Sequence, residues 1–269
     1  MTHQILPATD LTMTEIEAWL DAEEAAHKAG MAAWKAGGAF GDYDDIPARG
    51  FRCNWDNTKK LWREHSGGID ILVVDGEAIG FQGFSIFEIR PDLRGKGYGR
   101  ILAEFMISRA FEDGWSLLEI GIAPDTAIPF WERMGFTLVP DRQDNGGGIF
   151  AYKILPRKFD LGGGGRVPFL VEFFTEEEKY GSDGRPFSTF SGFGERLADG
   201  GIQLPERAYC FQPLEDVGGN AFVRIEIDGR ELHFDKLKRE SSRVVGLECD
   251  PGYTYFLDRI CVTDVQFSS

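Results

Sequence analysis

The chain has 269 residues, of which 42% are hydrophobic and 27% are charged, and its formal net charge at pH 7 is −15. This length can bury one large hydrophobic core or two small ones. The sequence has no apolar run of about 18 residues, so no membrane span is expected, and its first residues do not resemble a secretory signal. The acidic balance repels nucleic-acid phosphate, so we expect no nucleic-acid partner.

The metal-ligating and redox-active residue types are scattered along the chain. Four cysteines and four histidines occur without C-x-x-C or comparable spacing. This dispersion argues against a zinc site, and we expect no metal cofactor. The cysteines are read as reduced, mostly buried side chains of a cytoplasmic protein; they are Cys53, Cys210, Cys249 and Cys261.

The first third of the chain predicts two helices. A capping box at Thr12-x-x-Glu15 or Thr14-x-x-Glu17 predicts a helix that ends near Ala29. An acidic loop over residues 40–50 follows, and a second short helix is predicted to end at His65. The acidic loop is either a solvated segment or a surface that attracts an ammonium group.

Three apolar runs then predict neighbouring strands. Ile69–Val74 and Ala78–Gln82 are joined by Asp75-Gly76, and Asp-Gly between two apolar runs is a strong hairpin signal. Phe84–Ile89 is the next predicted strand, and it leads into a glycine-rich segment.

That glycine-rich segment reads Arg94-x-x-Gly97-x-Gly99 and opens an amphipathic helix. Glycines let a backbone approach a ligand closely, and the start of a helix offers N–H groups and a partial positive charge. Arg94, Lys96 and Arg100 add full positive charges. The spacing fits neither the dinucleotide fingerprint nor the nucleotide-triphosphate loop. The segment therefore predicts a site for a diphosphate.

A second motif lies about thirty residues downstream. Ala127, Phe130, Gly135 and Phe136 follow the pattern A-x-x-F-x-x-x-x-G-F. Together with the loop, this order resembles the GNAT superfamily of N-acetyltransferases over residues 10–155. The resemblance implies an α/β (α+β) fold with a mixed central sheet flanked by helices. It also implies acetyl-CoA as the co-substrate and a primary amine of a small molecule or peptide as the acceptor.

The resemblance also assigns residues to the cofactor. Backbone groups of Phe87 and Ile89 would contact the pantetheine arm and the thioester, and Phe130 and Trp131 would lie beside the cofactor. In the family, the strand before the loop splays from the next strand to admit pantetheine. The diphosphate would be bound by the loop residues, which are Arg94, Gly95, Lys96, Gly97, Tyr98, Gly99 and Arg100.

Several residues are candidates for the catalytic base and acid. The family often has a tyrosine where this chain has Trp131, and an indole is no useful proton source near neutral pH. Glu88 and Glu119 lie within apolar strands, where burial would raise the pKa of a carboxyl group, so both are candidate general bases. Alternation along the strand places Glu88 opposite Phe87 and Ile89. The candidate replacement acids are Tyr152, Tyr209, Tyr253 and Tyr255.

The last hundred residues resemble no family. We predict an acetyltransferase domain at 1–158, a glycine-rich linker at 159–165 and a small antiparallel β domain, a barrel or a sandwich, at 166–269. Residues 175–204 are predicted to be irregular and Arg243–Glu248 to be a strand, and Asp228-Gly229 is a second hairpin signal. This domain would close over the acceptor cleft or mediate a homodimer.

Two other functions fit the same residues. A non-catalytic acyl-CoA sensor would explain the tryptophan at position 131, with the β domain contacting a protein partner. A toxin-like enzyme that acetylates aminoacyl-tRNA also occurs in the superfamily, but the acidic charge argues against binding tRNA.

Overall fold

The structure is a computed structural model that describes residues 2–37, 50–65, 68–83, 86–143, 148–180 and 184–262. The chain divides into two compact units, Met1–Met106 and Ile107–Ser269. This division falls within a helix rather than at the predicted glycine-rich linker, residues 159–165. The predicted domain boundaries at 158 and 166 stay a prediction. The acidic loop lies, apart from Gly50, outside the described residues.

The first unit contains an antiparallel sheet with the strand order β1-β2-β3-β4. Its elements are β1 (His3–Pro7), α1 (Asp10–Ala36), α2 (Arg52–His65), β2 (Asp70–Val74), β3 (Glu77–Gly83), β4 (Ile86–Ile89) and the first part of α3 (Tyr98–Glu112). The sequence analysis did not predict β1, which pairs along β2 from His3 to Pro7.

Helix α1 begins earlier than predicted and is longer. The N-cap is Thr9, whose hydroxyl accepts from the Thr12 N–H while the Thr12 hydroxyl accepts from the Thr9 N–H. Both predicted capping boxes are therefore wrong, because two threonines satisfy the helix start without a glutamate. The helix also continues through Gly30 and ends before Gly37.

The predicted hairpin is confirmed. Asp75 and Gly76 have φ values of 48° and 91° between β2 and β3, which is the left-handed backbone that a two-residue hairpin turn requires. The four-stranded sheet buries both faces. One face packs against α1 and α2 through a cluster that includes Ile16, Leu20, Trp55 and Phe81, and the other packs against α3 through a cluster that includes Leu102.

The second unit contains two sheets. The first has the order β5-β7-β6 and the second has the antiparallel order β12-β11-β8-β9-β10-β14-β13. The elements are β5 (Leu117–Ile122), α4 (Ile128–Arg133), β6 (Thr137–Gln143), β7 (Ile149–Ile154), β8 (Arg166–Phe174), α5 (Glu176–Tyr180), β9 (Ser188–Arg196), β10 (Ile202–Tyr209), β11 (Phe222–Ile227), β12 (Arg230–Lys236), α6 (Glu240–Val244), β13 (Glu248–Cys249) and β14 (Tyr255–Ile260).

The C-terminal region is antiparallel, as predicted, but two of its local predictions are wrong. The segment predicted to be irregular contains β9, which pairs along the full length of β8. The predicted strand Arg243–Glu248 is the end of α6 and a turn, with only Glu248 in β13. The glycines and polar residues of β9 suggested an irregular segment, but pairing with β8 stabilises it as a strand. The apolar residues within Arg243–Glu248 suggested a strand where the chain forms a helix end and a turn. The turn at Asp228-Gly229 is confirmed between β11 and β12.

Buried polar contacts join the two sheets of the second unit. The buried Arg207 of β10 pairs with Asp258 of β14 and donates to the Gly114 carbonyl, which precedes β5, at 2.5 Å. The buried Asp250 accepts from the Ser116 N–H at 2.7 Å. The predicted linker at 159–165 is also bound to the second sheet, since the Gly164 N–H donates to Glu195 of β9 at 2.7 Å.

Within the described part of the chain, no helix is long and apolar enough to cross a membrane. The same residues include no group of three or more histidines, cysteines and carboxylates arranged to hold a metal ion.

Candidate functional site

Strand β4 presents two different faces, as alternation predicted. Glu88 pairs across the sheet with Phe81, which packs under α1 and α2. Phe87 and Ile89 pack into the cluster that faces α3. Glu88 therefore lies on the face of the sheet that packs against α1 and α2, whereas Phe87 and Ile89 lie on the face toward α3.

Glu88 has an environment suited to a general base. Its side chain is one quarter exposed. Burial raises the pKa of this carboxyl group to about 7, although Arg94 opposes the rise, and the nearby Glu23 adds to it. A carboxyl group that titrates near neutral pH can accept a proton and release it again under ordinary conditions.

The Arg94 side chain lies between two carboxylates rather than in open solvent. Its Nη2 atom donates to Glu88 Oε2 at 3.2 Å and to Glu23 Oε1 at 3.3 Å, and its Nε atom donates to the Ile89 carbonyl at 2.9 Å. The first residue of the predicted diphosphate loop thus contacts the candidate base directly.

The loop and the start of α3 fit a diphosphate. Gly95 and Gly97 have φ values of 75° and 91°, and a Cβ added at either position would meet no atom within 4 Å. The first hydrogen bonds of the helix run from Arg100 and Ile101 to the Gly97 carbonyl, so α3 begins directly at the glycine loop. Open space over a left-handed backbone and a helix start suits the close approach of an anion.

The remaining loop residues differ in their surroundings. Lys96 is exposed, and Tyr98 packs partly against the α3-side cluster. Arg100 is largely exposed and pairs with Glu104 one turn along the helix, at 2.7 Å. Gly99 lies within the first turn of α3. The positive charges expected from the sequence therefore lie on the loop, but two of the three have carboxylate partners.

Sequence reasoning missed Glu23, the second carboxylate on Arg94. The sequence could have indicated this residue. Ile16, Leu20 and Glu23 are separated by four and then three residues, so Glu23 lies on the same inner face of α1 as the two buried side chains. An aromatic cluster lies on the same side of the sheet, with the rings of Trp19, Trp55 and Phe51 within 5.2–6.1 Å of the Phe81 ring.

Glu119, the other candidate base, belongs to the second unit and has a different environment. It lies on β5 opposite Tyr152 of β7, and its side chain is exposed. The expectation that Glu119 is buried within an apolar strand is wrong, because its side chain is exposed on β5. Glu88 is the better supported candidate.

Trp131 of α4 is 7% exposed and lies between aromatic neighbours. Its ring is in edge-to-face contact with the Phe130 and Phe136 rings, with centroid distances of 4.9 Å and 5.1 Å. Among the candidate acids, the Tyr152 ring packs on Phe211, and burial raises the pKa of Tyr209, which also lies near Tyr152. Burial likewise raises the pKa of Tyr255, and Tyr253 is 86% exposed.

Residues 31–136 match the family model of the acetyltransferase (GNAT) family. No curated protein matches the sequence. Similar solved structures include the PaiA N-acetyltransferase of Thermoplasma acidophilum in complex with coenzyme A, at 13% identity, 57% coverage of this chain, 99% coverage of that chain and a TM-score of 0.38. Another is the ribosomal-protein-S18-alanine N-acetyltransferase of Escherichia coli, at 15% identity, 57% and 94% coverage and a TM-score of 0.36.

A third is yncA of Salmonella typhimurium with its cofactor acetyl-CoA, at 16% identity, 58% and 95% coverage and a TM-score of 0.37. Because these TM-scores are low, no argument is drawn from the solved structures. The segment that matches the family model includes β4, the glycine loop and the aromatic motif on α4. Residues 31–136 of this chain are therefore similar to the acetyltransferase (GNAT) family.

Proposed function

We propose that this protein is an acetyl-CoA-dependent N-acetyltransferase that acts on a primary amine of a small molecule or a peptide. The observation that carries the proposal is the segment from β4 to α3. It presents a buried carboxylate on one face of β4, and it continues into a glycine loop with left-handed backbone at Gly95 and Gly97.

The loop residues would hold the cofactor. The amides before Arg100 would donate to the diphosphate, with Lys96 and the start of α3 adding positive potential. Backbone groups of Phe87 and Ile89 would contact pantetheine, and a donor there would polarise the thioester carbonyl, an effect worth about 10²–10³ in rate. When bound, acetyl-CoA supplies the acetyl group as a thioester whose thiolate can leave.

Glu88 would prepare the acceptor. An alkylammonium group has a pKa near ~10, so it must lose a proton before its nitrogen can attack a carbonyl. Glu88 accepts that proton, directly or through one water, and its pKa of about 7 leaves the carboxylate form available at neutral pH. The amine then forms the new C–N bond as the C–S bond breaks, and the electron pair leaves on sulfur.

The sulfur that leaves needs a proton. Trp131 lacks an acidic proton, so it does not take the role of the family's tyrosine. A thiol has an unperturbed pKa near ~8.5, so its thiolate leaves readily and takes its proton from water. Tyr152 and the tyrosines of the C-terminal sheet stay predictions for this role, as do the cofactor contacts of Phe130 and Trp131.

Gly97→Ala is expected to weaken acetyl-CoA binding by about tenfold or more, which corresponds to about 1.4 kcal/mol. The alanine methyl would lie over the amides that receive the diphosphate, and the φ of 91° disfavours any side chain there. Isothermal titration calorimetry with acetylated and free coenzyme A measures the effect.

Gly76→Ala is the matched control for that measurement. Gly76 has the same φ of 91° and equally open surroundings, but it lies in the hairpin between β2 and β3. Both variants should lose similar stability, and only Gly97→Ala should lose affinity. Absence of binding heat from folded wild-type protein with both ligands would contradict the proposal, as would equal affinities in the two variants.

The buried Trp131 favours one alternative, a non-catalytic acyl-CoA sensor. An assay of thiol release with a panel of amines separates the two. Turnover of any primary amine supports the enzyme, whereas tight acetyl-CoA binding without turnover supports the sensor. We further propose a cytoplasmic location and a homodimer, the latter to be checked by light scattering. No nucleic-acid partner is proposed, given the net charge of −15.

A further inference from the structure

The Arg94 guanidinium holds together two carboxylates that come from different elements. Glu88 belongs to β4 and Glu23 belongs to α1, and the same Nη2 atom lies 3.2 Å from one and 3.3 Å from the other. A single cationic nitrogen therefore occupies the space between the candidate base and a second carboxylate. The Arg94 side chain is half exposed, so it can leave this position without unpacking the core.

Glu23 has more acceptor capacity than Arg94 uses. Its Oε2 atom is buried and has no hydrogen-bond partner among the described residues, and its side chain is 16% exposed. A buried carboxylate oxygen without a donor is costly, so a ligand that brings a further N–H group would be favoured here. An ammonium group brings three such donors.

Two other cations on the packed helices are paired with carboxylates. Arg52 and Lys59 of α2 contact Glu17, Asp21 and Asp56. Among the described residues, the charged groups that act on Glu88 are Arg94 and Glu23. Within this part of the chain, Arg94 is therefore the cation that balances this pair of carboxylates.

We propose that Arg94 exchanges partners during the reaction: it bridges Glu88 and Glu23 in the free protein, turns to the cofactor diphosphate on binding, and so leaves both carboxylates to receive the acceptor ammonium. This rests on the proposed function, because it requires a diphosphate at the loop. Glu88 then accepts the acceptor proton, and Glu23 positions the ammonium and selects for cationic acceptors.

The exchange couples cofactor binding to a proton. Loss of the Arg94 contact removes the influence that lowers the pKa of Glu88, so a fraction of the molecules take up a proton near pH 7 as the cofactor binds. The molecules in which Glu88 stays ionised are the ones that can accept the proton of the acceptor. By linkage, the affinity for acetyl-CoA falls as pH rises through about 7, because the ionised carboxylate competes for Arg94.

Calorimetry of acetyl-CoA binding at pH 7, in two buffers with different ionisation enthalpies, tests the coupling. Wild-type protein should take up a fraction of a proton, and Glu88→Gln should abolish the uptake. Glu88→Gln and Glu23→Gln should each bind acetyl-CoA about threefold more tightly or better, since each removes a competitor for Arg94. Glu77→Gln, which breaks the Arg90 ion pair of 3.0 Å outside the loop, should change neither quantity.

Steady-state kinetics test the acceptor role of Glu23. Glu23→Gln should raise the KM for a cationic amine about tenfold and leave kcat within about threefold of the wild-type value. The substitution removes a charge that binds the ammonium group, but it leaves the base, Glu88, in place. Binding without proton uptake, with unchanged affinity in both glutamine variants, would overturn the exchange and leave the acetyltransferase proposal standing. Failure of the wild-type protein to bind coenzyme A in any form would overturn both.

Discussion

Replacing Glu88 with glutamine is expected to lower kcat/KM for amine acetylation by about 10²–10⁴-fold, the range for loss of a general base. Glutamine keeps the size and the polarity of the side chain but cannot take a proton from the ammonium. Acetyl-CoA binding should survive, so the loss should appear in the chemical step. Thiol release measured over a range of amine concentrations separates the two.

The pH profile gives a second signature of the same group. In the wild-type protein, kcat/KM for the amine should rise with pH above about 7, because only the carboxylate form of Glu88 accepts a proton and the pKa rises when Arg94 leaves. The glutamine variant should lack this inflection. Glu119→Gln provides the comparison between the two candidate bases. Because Glu119 is exposed, we expect its loss to stay below about tenfold. The reverse order of effects would assign the base to Glu119.

The Glu88→Gln variant should also be more stable than the wild type above neutral pH. The folded protein holds the Glu88 proton up to about pH 7, whereas the unfolded chain releases it near 4.5, so rising pH between these values disfavours the folded state. Above pH 7 the full penalty is present, on the order of 3 kcal/mol, and glutamine does not incur it. Urea denaturation at pH 5 and pH 8 measures the difference, which should be small at pH 5 and reach its full value at pH 8.

Arg207→Met is expected to destabilise the folded protein by about 3–5 kcal/mol, the cost of breaking a buried ion pair. Arg207 is 6% exposed, and its two terminal nitrogens and Nε serve Asp258, the Gly114 carbonyl and the Ser116 hydroxyl. Methionine keeps most of the side-chain volume beside the Phe256 ring, so the loss reports the polar contacts rather than a cavity. Urea denaturation gives the free energy of unfolding.

Arg243→Met is the control for this change. Arg243 is 67% exposed and its ion pair with Glu240 is 3.7 Å long, so we expect a loss below about 1 kcal/mol. The comparison holds the chemistry of the substitution constant and varies only burial. A loss below 1 kcal/mol in both variants would show that the contacts between the two sheets of the second unit add little stability.

Local sequence signals predicted the parts of the fold that depend on nearby residues. The hairpin at Asp75-Gly76 follows from the backbone that these residue types tolerate, and the opposite facing of Glu88 and Phe87 follows from strand alternation. The start of α1 was missed because threonine can cap a helix in more than one pattern. Strand β9 was missed because its glycines and polar residues are typical of a loop, and pairing with β8 and β10 outweighs that local preference.

The sequence by itself indicated the resemblance to the family, the glycine loop and the two candidate bases, because these are patterns of residue type at fixed spacing. Only the tertiary structure distinguished Glu88 from Glu119, since burial depends on which elements cover a strand. It alone brought Glu23 of α1 to Arg94, 71 residues away, and Arg207 to Gly114, 93 residues away. Charge, burial and proton affinity at these positions are properties of neighbours in space, and spacing along the chain does not encode them.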